Sequence, residues 1–428
     1  MADSFDERRM LVNPRRARQP LVERRTRGQW MSSEGRTEEA RAVALLARCA
    51  RPDRGRTDLL GVADADAADI GARAVRVSDW SGLLTLAEAH GVAPLLYHHL
   101  RPRLADLPGS VPRQLKALYA RHRRANEVRL RVLREVLEVF EAAGVLATVL
   151  KGPLLIDRVY GDPGLRPMGD LDLLVPPRQT MAAQDLLRGM GFHAHHARST
   201  HRFLRHNHLS PAIRHVDGVA VQVEIHHDAF ELGLGPSLQA GARAPDAMVF
   251  SAAGHQAYSL PPVEVLWHLC RHSVGLRHRF RLIWAADIIG FAETFVSTID
   301  WVRVGRRYPF VRSTLSLLHC LVPIPEPVVS RALVTVGRTP QGLGEDYRGW
   351  PKVAWGESAS LGGRVNLLRH TLVPPEWWVR LNYGAGTGPA GAWRGRVSHG
   401  AAVVRHGVRL ARDTLAMRRE RVGARPGR

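Results

Sequence analysis

The stretch that decides the fold is GDLDLLV, residues 169–175. Its leucines and valine predict a buried strand over this range. Because side chains alternate between the two faces of a strand, Asp170 and Asp172 are expected on one face. Two adjacent carboxylates repel each other unless a cation lies between them, and Mg²⁺ prefers carboxylate ligands. The stretch therefore predicts a metal site; the alternative is two exposed aspartates on an edge strand or at caps.

An earlier strand is predicted from Val145 to Leu150, ending at Lys151-Gly152. Pro153 suits the first turn of a helix, so a helix is expected to begin at this corner. Free backbone N–H groups and the helix dipole make such a corner a natural phosphate site, and a glycine lets an oxygen approach the backbone. Lys151 and Gly152 are therefore candidate nucleotide-binding residues, although most strand–glycine–helix junctions are simple turns.

A later strand is predicted from Val219 to His226, with Glu224 and His226 on the same face. Asp217-Gly218 before it is a favoured two-residue hairpin turn. A glutamate within a β-branched strand is costly to bury without a partner. If this strand pairs beside the aspartate strand, Glu224 joins the same cluster, and three carboxylates can hold two metal ions. The alternative is an ordinary half-exposed hairpin strand.

The order of these elements predicts an α+β fold, with a small α/β core between two helical regions. A long helix is expected over 111–143, and helices resume after Pro261-Pro262. The predicted organisation is a basic disordered tail at 1–35, a helical region at 36–143, the core at 144–230, a helical region at 231–383 and a basic Gly/Arg-rich tail at 384–428.

The composition narrows the class of protein. The 428 residues carry a formal net charge of +21, and only three of the 61 basic residues are lysines. This charge favours an anionic partner, or it reflects a solvated arginine-rich surface. The three widely spaced cysteines argue against a secreted disulfide scaffold, and no apolar run reaches the ~18–20 residues of a membrane helix. We therefore expect a soluble cytoplasmic protein without a membrane partner.

Together, these motifs resemble the polymerase-beta-like nucleotidyltransferase superfamily and, more closely, an uncharacterised bacterial nucleotidyltransferase family. The resemblance covers about residues 40–385, with a small mixed-sheet nucleotidyltransferase core. One departure is Lys151-Gly152, where most superfamily members have Gly-Ser or Gly-Gly. The motifs that carry the resemblance are Leu150-Lys151-Gly152, Tyr160-Gly161, Arg166, the 170–175 stretch, Gly189-Met190-Gly191-Phe192 and Glu224-Ile225-His226.

The resemblance implies a metal-dependent transfer of a nucleoside monophosphate from a nucleoside triphosphate to a hydroxyl-type acceptor, with release of pyrophosphate. Lys151 and Arg166 would neutralise the leaving pyrophosphate. His226 would orient a carboxylate or contact the acceptor, with a structural role as the alternative. Two Mg²⁺ or Mn²⁺ ions are the implied cofactors, held by residues that are also the catalytic ones: Asp170, Asp172 and Glu224.

Histidines outside this core offer weaker candidates. His268 and His272 are four residues apart on a predicted helix, a spacing that suits metal ligands. A packing or acceptor-pocket role fits their apolar neighbours better. Arg281 and Asp287 either form an ion pair behind the site or line a helix face. A further histidine cluster could chelate a metal or belong to a solvated β-surface: His193, His195, His196, His201, His206 and His208.

Two other functions stay open on sequence grounds. A non-catalytic nucleic-acid-binding protein with a degenerate core would lose affinity steeply with added salt and need no metal. A metal-dependent phosphohydrolase is expected if water outcompetes any organic acceptor. The transferase is favoured because all three carboxylates are present. The acceptor, whether small molecule, peptide or protein, and the nucleotide base are not predicted.

Overall fold

The computed structural model describes residues 33–52, 62–194, 208–229, 244–274, 281–319 and 321–334, with shorter pieces at 365, 372–373, 393–401, 403–405 and 408. The helices are α1 (Ser33–Cys49), α2 (Val62–Ala74), α3 (Trp80–His90), α4 (Ala93–Leu100), α5 (Val111–Ala142), α6 (Gly152–Leu155), α7 (Thr180–Gly189), α8 (Pro262–Val274), α9 (Leu282–Thr294), α10 (Trp301–Arg307), α11 (Pro309–His319) and α12 (Glu326–Ala332). The strands are β1 (Thr148–Leu150), β2 (Leu171–Leu174), β3 (His193–Ala194), β4 (Ala212–Val216), β5 (Val219–His226), β6 (Val249–Ala252) and β7 (His255–Tyr258). This order confirms the α+β prediction. The predicted tails lie largely outside the described residues.

Five strands form one mixed sheet in the order β1-β2-β5-β4-β3. β2 and β5 run parallel, and the other neighbours are antiparallel. Every residue of β2 is buried, as expected for a strand with neighbours on both sides and layers on both faces. The parallel register aligns Asp172 with Glu224. The pairing that the carboxylate hypothesis required is therefore confirmed.

The two predicted core strands are shorter than expected, and at the start of the first strand the backbone N–H groups bond elsewhere. The Val145 N–H donates to the Phe140 carbonyl at 2.8 Å and closes the end of α5. The Leu146 N–H donates to the Gln179 side chain at 3.1 Å. Ladder pairing in β2 begins at Leu171, so Asp170 precedes the strand and the two-residue periodicity does not apply to it.

The long helix predicted over 111–143 is α5, and it contacts β5, β6 and α7. Its C-terminal half buries Val132, Val136 and Phe140, which places an apolar stripe against the sheet. Gly144 ends the helix with a φ of +69°, a conformation that favours glycine. Within the described ranges, no helix is both long enough and apolar enough to cross a bilayer.

The chain is helical again after Pro261-Pro262, as predicted, and α9 is buried over most of its length. The hairpin β6–β7 before it is an element that the sequence analysis did not predict. Its turn places Ala253 and Gly254 at φ of +51° and +89°, and alanine gives no signal for such a turn. The Ser259 hydroxyl just after the hairpin donates to the Val149 carbonyl at 2.7 Å, so this segment packs beside β1.

Candidate functional site

The site lies where β2 and β5 run side by side. Asp172 and Glu224 occupy aligned positions on these parallel strands, so their side chains project from the same face of the sheet. Asp172 is buried and Glu224 is half-buried. The Gln222 amide donates to Glu224 Oε1 at 2.7 Å and orients that carboxylate. Carboxylates from two strands that are distant in sequence therefore meet, as the sequence predicted.

His226 lies beside these two carboxylates. Its Nε2 atom lies 3.2 Å from Asp172 Oδ1 and 3.9 Å from Glu224 Oε2. One ligand atom from each of the three residues lies within 4.8 Å of the others, so a single ion fits among them. His226 Nδ1 is buried and has no hydrogen-bond partner among the described residues. Two carboxylates with one imidazole suit Mn²⁺ as well as the harder Mg²⁺.

Asp170 is not one of the three residues whose ligand atoms lie within 4.8 Å of one another, and its part in the metal site stays a prediction. The residue precedes β2 at the edge of the site, where protein atoms surround its carboxyl although the residue as a whole is exposed. Its carboxyl still interacts with the other two acids. Loss of solvent around the carboxyl, followed by repulsion from Asp172 and Glu224, raises the pKa of Asp170 to about 6.

Lys151 occupies the corner between β1 and α6 with a φ of +55°, a region that residues other than glycine rarely adopt. Its Nζ atom donates to Asp172 Oδ2 at 2.7 Å. Burial alone would lower the pKa of Lys151 and raise that of Asp172. Their mutual attraction outweighs burial, so the pKa of Lys151 is raised and that of Asp172 lies well below its usual range. The Lys151 ammonium is thus held against the Asp172 carboxylate.

Gly152 is required for packing, and the approach of a ligand oxygen to its backbone stays a prediction. A Cβ atom at this position would lie 2.6 Å from Met168 Sδ and 3.0 Å from Arg166 Nη1. The segment leading to β2 therefore presses directly on the first turn of α6. Any larger side chain would displace this segment, and with it the start of the aspartate strand.

Arg166, predicted to bind nucleotide, forms a buried ion pair. Its Nε and Nη2 atoms donate to the two carboxylate oxygens of Asp287 at 2.8 and 2.7 Å, and the Tyr160 hydroxyl donates to the same carboxylate at 2.8 Å. This bidentate pair joins the segment before β2 to α9. The Arg281–Asp287 pair considered on sequence grounds is replaced by it, since Arg281 Nε donates to the Ala89 carbonyl at 3.1 Å.

Of the two candidate helix histidines, His268 reaches the site. It is buried, and it lines a small cavity together with Lys151. Burial and the Lys151 ammonium hold the pKa of His268 well below its usual range, so the ring is neutral at pH 7. His272 is half-buried and meets the Trp284 ring edge-on, with centroids 5.4 Å apart. Neither histidine joins a group of three metal ligands within the described ranges.

The predicted histidine cluster contributes one residue to the site. The His208 ring packs against His226 at an interplanar angle of 42°, with ring centroids 5.1 Å apart, and its Nδ1 atom lies 3.9 Å from Glu224 Oε2. His193 lies in β3 at the far edge of the sheet. The remaining members fall outside the described residues: His195, His196, His201 and His206.

The sequence analysis missed a second cation, Arg129 of α5, whose charge interacts with Asp170. The available signal was a run of polar residues spaced three or four apart within an otherwise amphipathic helix. These residues are Tyr119, His122, Asn126 and Arg129.

Comparison with known proteins assigns the chain to a family. The model of a family described as "Uncharacterised nucleotidyltransferase" matches residues 76–322, which is more than half of the chain. No curated protein and no solved structure matches the chain. The matched range contains β1 to β7, both carboxylate strands and the Lys151 corner. The chain therefore belongs to this uncharacterised nucleotidyltransferase family.

Proposed function

We propose that the protein is a metal-dependent nucleotidyltransferase of the polymerase-beta-like superfamily. It would move a nucleoside monophosphate from a nucleoside triphosphate to a hydroxyl-type acceptor and release pyrophosphate. The observation that carries this proposal is the aligned pair Asp172 and Glu224, with His226 beside them on one sheet face. A buried acidic group of this kind costs folding free energy, so it is expected to have a function.

The residues of the site fit a divalent cation. Asp172, Glu224 and His226 would hold one ion, and Asp170 at the edge would add a carboxylate for a second. When bound, Mg²⁺ or Mn²⁺ supplies positive charge that stabilises the phosphoryl oxygens in the transition state. The raised pKa of Asp170, caused in part by repulsion from Asp172 and Glu224, supports a site that is electrostatically incomplete without a cation.

The chain's own residues would position the reactants. The acceptor hydroxyl loses its proton to solvent, its oxygen forms a bond to the α-phosphorus, and the bond from that phosphorus to the bridging oxygen breaks and releases pyrophosphate. Lys151 lies beside Asp172 and would carry positive charge toward the phosphates. The neutral ring of His268 borders the same corner. The scarcity of cysteine favours a reducing compartment, and we place the reaction in the cytoplasm.

The two alternative functions make different demands on this site. A nucleic-acid-binding protein with a degenerate core has no use for a buried acidic group, whereas here both strand carboxylates and Lys151 are in place. A phosphohydrolase would use the same residues but transfer the nucleotide to water. The products of the reaction therefore separate the transferase from the hydrolase.

The test is a labelling assay with each α-³²P nucleoside triphosphate, Mn²⁺ and a cell extract as the source of acceptor. We expect label in an acceptor, pyrophosphate in equal amount, and a loss of about a hundredfold to a thousandfold in Asp172→Asn. The matched control is Asp185→Asn, since Asp185 is an exposed aspartate on α7 paired with Arg188. Labelling retained in Asp172→Asn contradicts the proposal, and free nucleoside monophosphate as the main product indicates the hydrolase.

A further inference from the structure

The two strand carboxylates of the site use their two oxygens differently. Asp172 Oδ1 lies 3.2 Å from His226 Nε2, whereas Asp172 Oδ2 accepts a hydrogen bond from Lys151 Nζ at 2.7 Å. Glu224 shows the same division, since its Oε2 atom lies 3.9 Å from His226 Nε2 and its Oε1 atom accepts from the Gln222 amide at 2.7 Å. One oxygen of each carboxylate therefore faces the imidazole, and the other is bonded to a donor of the chain.

This division provides ligand atoms for a single ion. One ligand atom each from Asp172, Glu224 and His226 lies within 4.8 Å of the others, so these atoms can surround one ion. The ions of a two-metal site are only about 3.5–4 Å apart, so a carboxylate shared between them gives one oxygen to each. Asp172 could act in this way only through Oδ2, which is bonded to Lys151. While that bond persists, Asp172 cannot bridge two ions.

The Lys151 ammonium is a cation of the chain itself at this position. An ammonium group has three N–H donors and no acceptor, so it balances the charge of a carboxylate but cannot bind a metal. The side chains of Lys151 and Asp172 are 17% and 5% exposed. Separating such a pair without a replacement would leave a buried charge unpaired, which is costly. Lys151 is therefore expected to leave Asp172 only in exchange for another cation.

The backbone at Lys151 indicates that its side chain has a role at this corner. The residue has a φ of +55° and a ψ of −110°, a conformation that glycine adopts readily and other residues rarely. It follows Leu150, which pairs with Asp172 in the antiparallel ladder of β1 and β2. A residue other than glycine stays in such a conformation when surrounding contacts stabilise it. The bond to Asp172 is a contact of this kind.

We propose that the Lys151 ammonium occupies the position on Asp172 Oδ2 that a second divalent ion would take. The protein without nucleotide therefore binds one ion, through Asp172 Oδ1, Glu224 and His226, and a second ion binds only in exchange for the lysine. The inference rests on the proposed function, in which Lys151 carries positive charge toward the phosphates. Its long side chain is flexible, and a bound triphosphate supplies the negative charge that draws the ammonium away from Asp172.

The test counts the Mn²⁺ ions bound per full chain without nucleotide, from the electron paramagnetic resonance signal of free Mn²⁺ during a titration. This measurement requires no catalysis. We expect one ion in the wild-type chain and two in Lys151→Met, because methionine has no charge and leaves Asp172 Oδ2 to a metal. The matched control is Lys116→Met, since Lys116 is an exposed lysine on α5, and this variant should bind one ion.

Two further variants at the same position guard against loss of folding. Glycine adopts a φ of +55° without strain, so Lys151→Gly removes the ammonium while relaxing the backbone, and it should also bind two ions. Lys151→Arg keeps a positive charge that can donate to a carboxylate, so it should bind one ion. Thermal unfolding identifies a variant that fails to fold, in which case the glycine variant decides. The inference is overturned if the wild-type chain binds two ions without nucleotide, or if the folded methionine and glycine variants bind one.

The two proposals fail in distinguishable ways. If the folded Lys151→Met and Lys151→Gly variants bind one ion while Asp172→Asn abolishes transfer, the transferase stands and the inference about Lys151 is wrong. If those variants bind two ions but the wild-type chain transfers no nucleotide, the role of Lys151 in metal binding stands and the transferase assignment fails. A wild-type chain that binds no Mn²⁺ contradicts both proposals.

Discussion

Two buried ion pairs in this protein have the same length but different surroundings. Lys151–Asp172 and Arg166–Asp287 both measure 2.7 Å. In each pair the aspartate is almost fully buried, with side-chain exposures of 5% and 3%. By distance and burial alone, the two pairs would be assigned the same role.

The difference lies in what else each carboxylate meets. Asp287 receives two bonds from Arg166 and one from Tyr160, so one negative charge meets one positive charge and both oxygens are satisfied. Asp172 shares its surroundings with Glu224 and Asp170, so acids outnumber the single lysine. A balanced ion pair holds two parts of the fold together, whereas an excess of negative charge favours the binding of added cations.

The largest effect should come from breaking the balanced pair. Asp287→Asn leaves the Arg166 guanidinium buried beside a neutral amide, and the free energy of unfolding should fall by about 3–5 kcal/mol. Chemical denaturation measures this. A loss below about 1 kcal/mol would mean that the pair does not hold α9 to the core.

The next effect is a pH dependence at the acid-rich site. The pKa of Asp170 is raised to about 6, so its carboxylate is present above that pH and protonated below it. A proton and a metal ion compete for the Asp170 carboxylate. The contribution of this group should therefore leave the Kd for Mn²⁺ constant above pH 6 and raise it by up to about tenfold per pH unit below pH 6. In Asp170→Asn the slope of log Kd against pH should be smaller by about one below pH 6, because one proton fewer is released when the metal binds. An unchanged slope would exclude Asp170 from the metal site.

The smallest effect should come from Glu224→Gln, measured on folding. Glu224 accepts a hydrogen bond from Gln222 and has no lysine or arginine within ion-pair distance in the described chain. Removing its charge relieves repulsion with Asp172, so the free energy of unfolding should change by less than about 1 kcal/mol. A loss as large as that of Asp287→Asn would show that Glu224 is structural, and the contrast between the two pairs would not hold.

Local sequence patterns predicted the parts of the site that depend on local geometry. The two-residue periodicity of β5 placed Glu224 and His226 on one face, and the Asp217-Gly218 turn was correctly predicted, with φ of +50° and +78°. The pairing of β5 with β2, which aligns Glu224 with Asp172, entered the sequence analysis only as a condition, and the structure meets that condition. These features rely on neighbours in sequence and on the burial of apolar side chains.

Contacts between distant segments were not predictable in this way. Arg166 and Asp287 are separated by 121 residues, and no periodicity indicates which acid an arginine will meet. The same holds for Arg129, whose helix was interpreted from its apolar stripe alone. For Gly152, the packing partner Met168 could not be identified from the strand–helix pattern.

The most direct test of the central claim is a crystal structure of the full chain with Mn²⁺ and a non-hydrolysable nucleoside triphosphate, with the metal located by its anomalous signal. The account predicts a peak coordinated jointly by Asp172, Glu224 and His226 on the face shared by β2 and β5. A chain that binds Mn²⁺ elsewhere, or a site in which Glu224 contacts no metal, would contradict it.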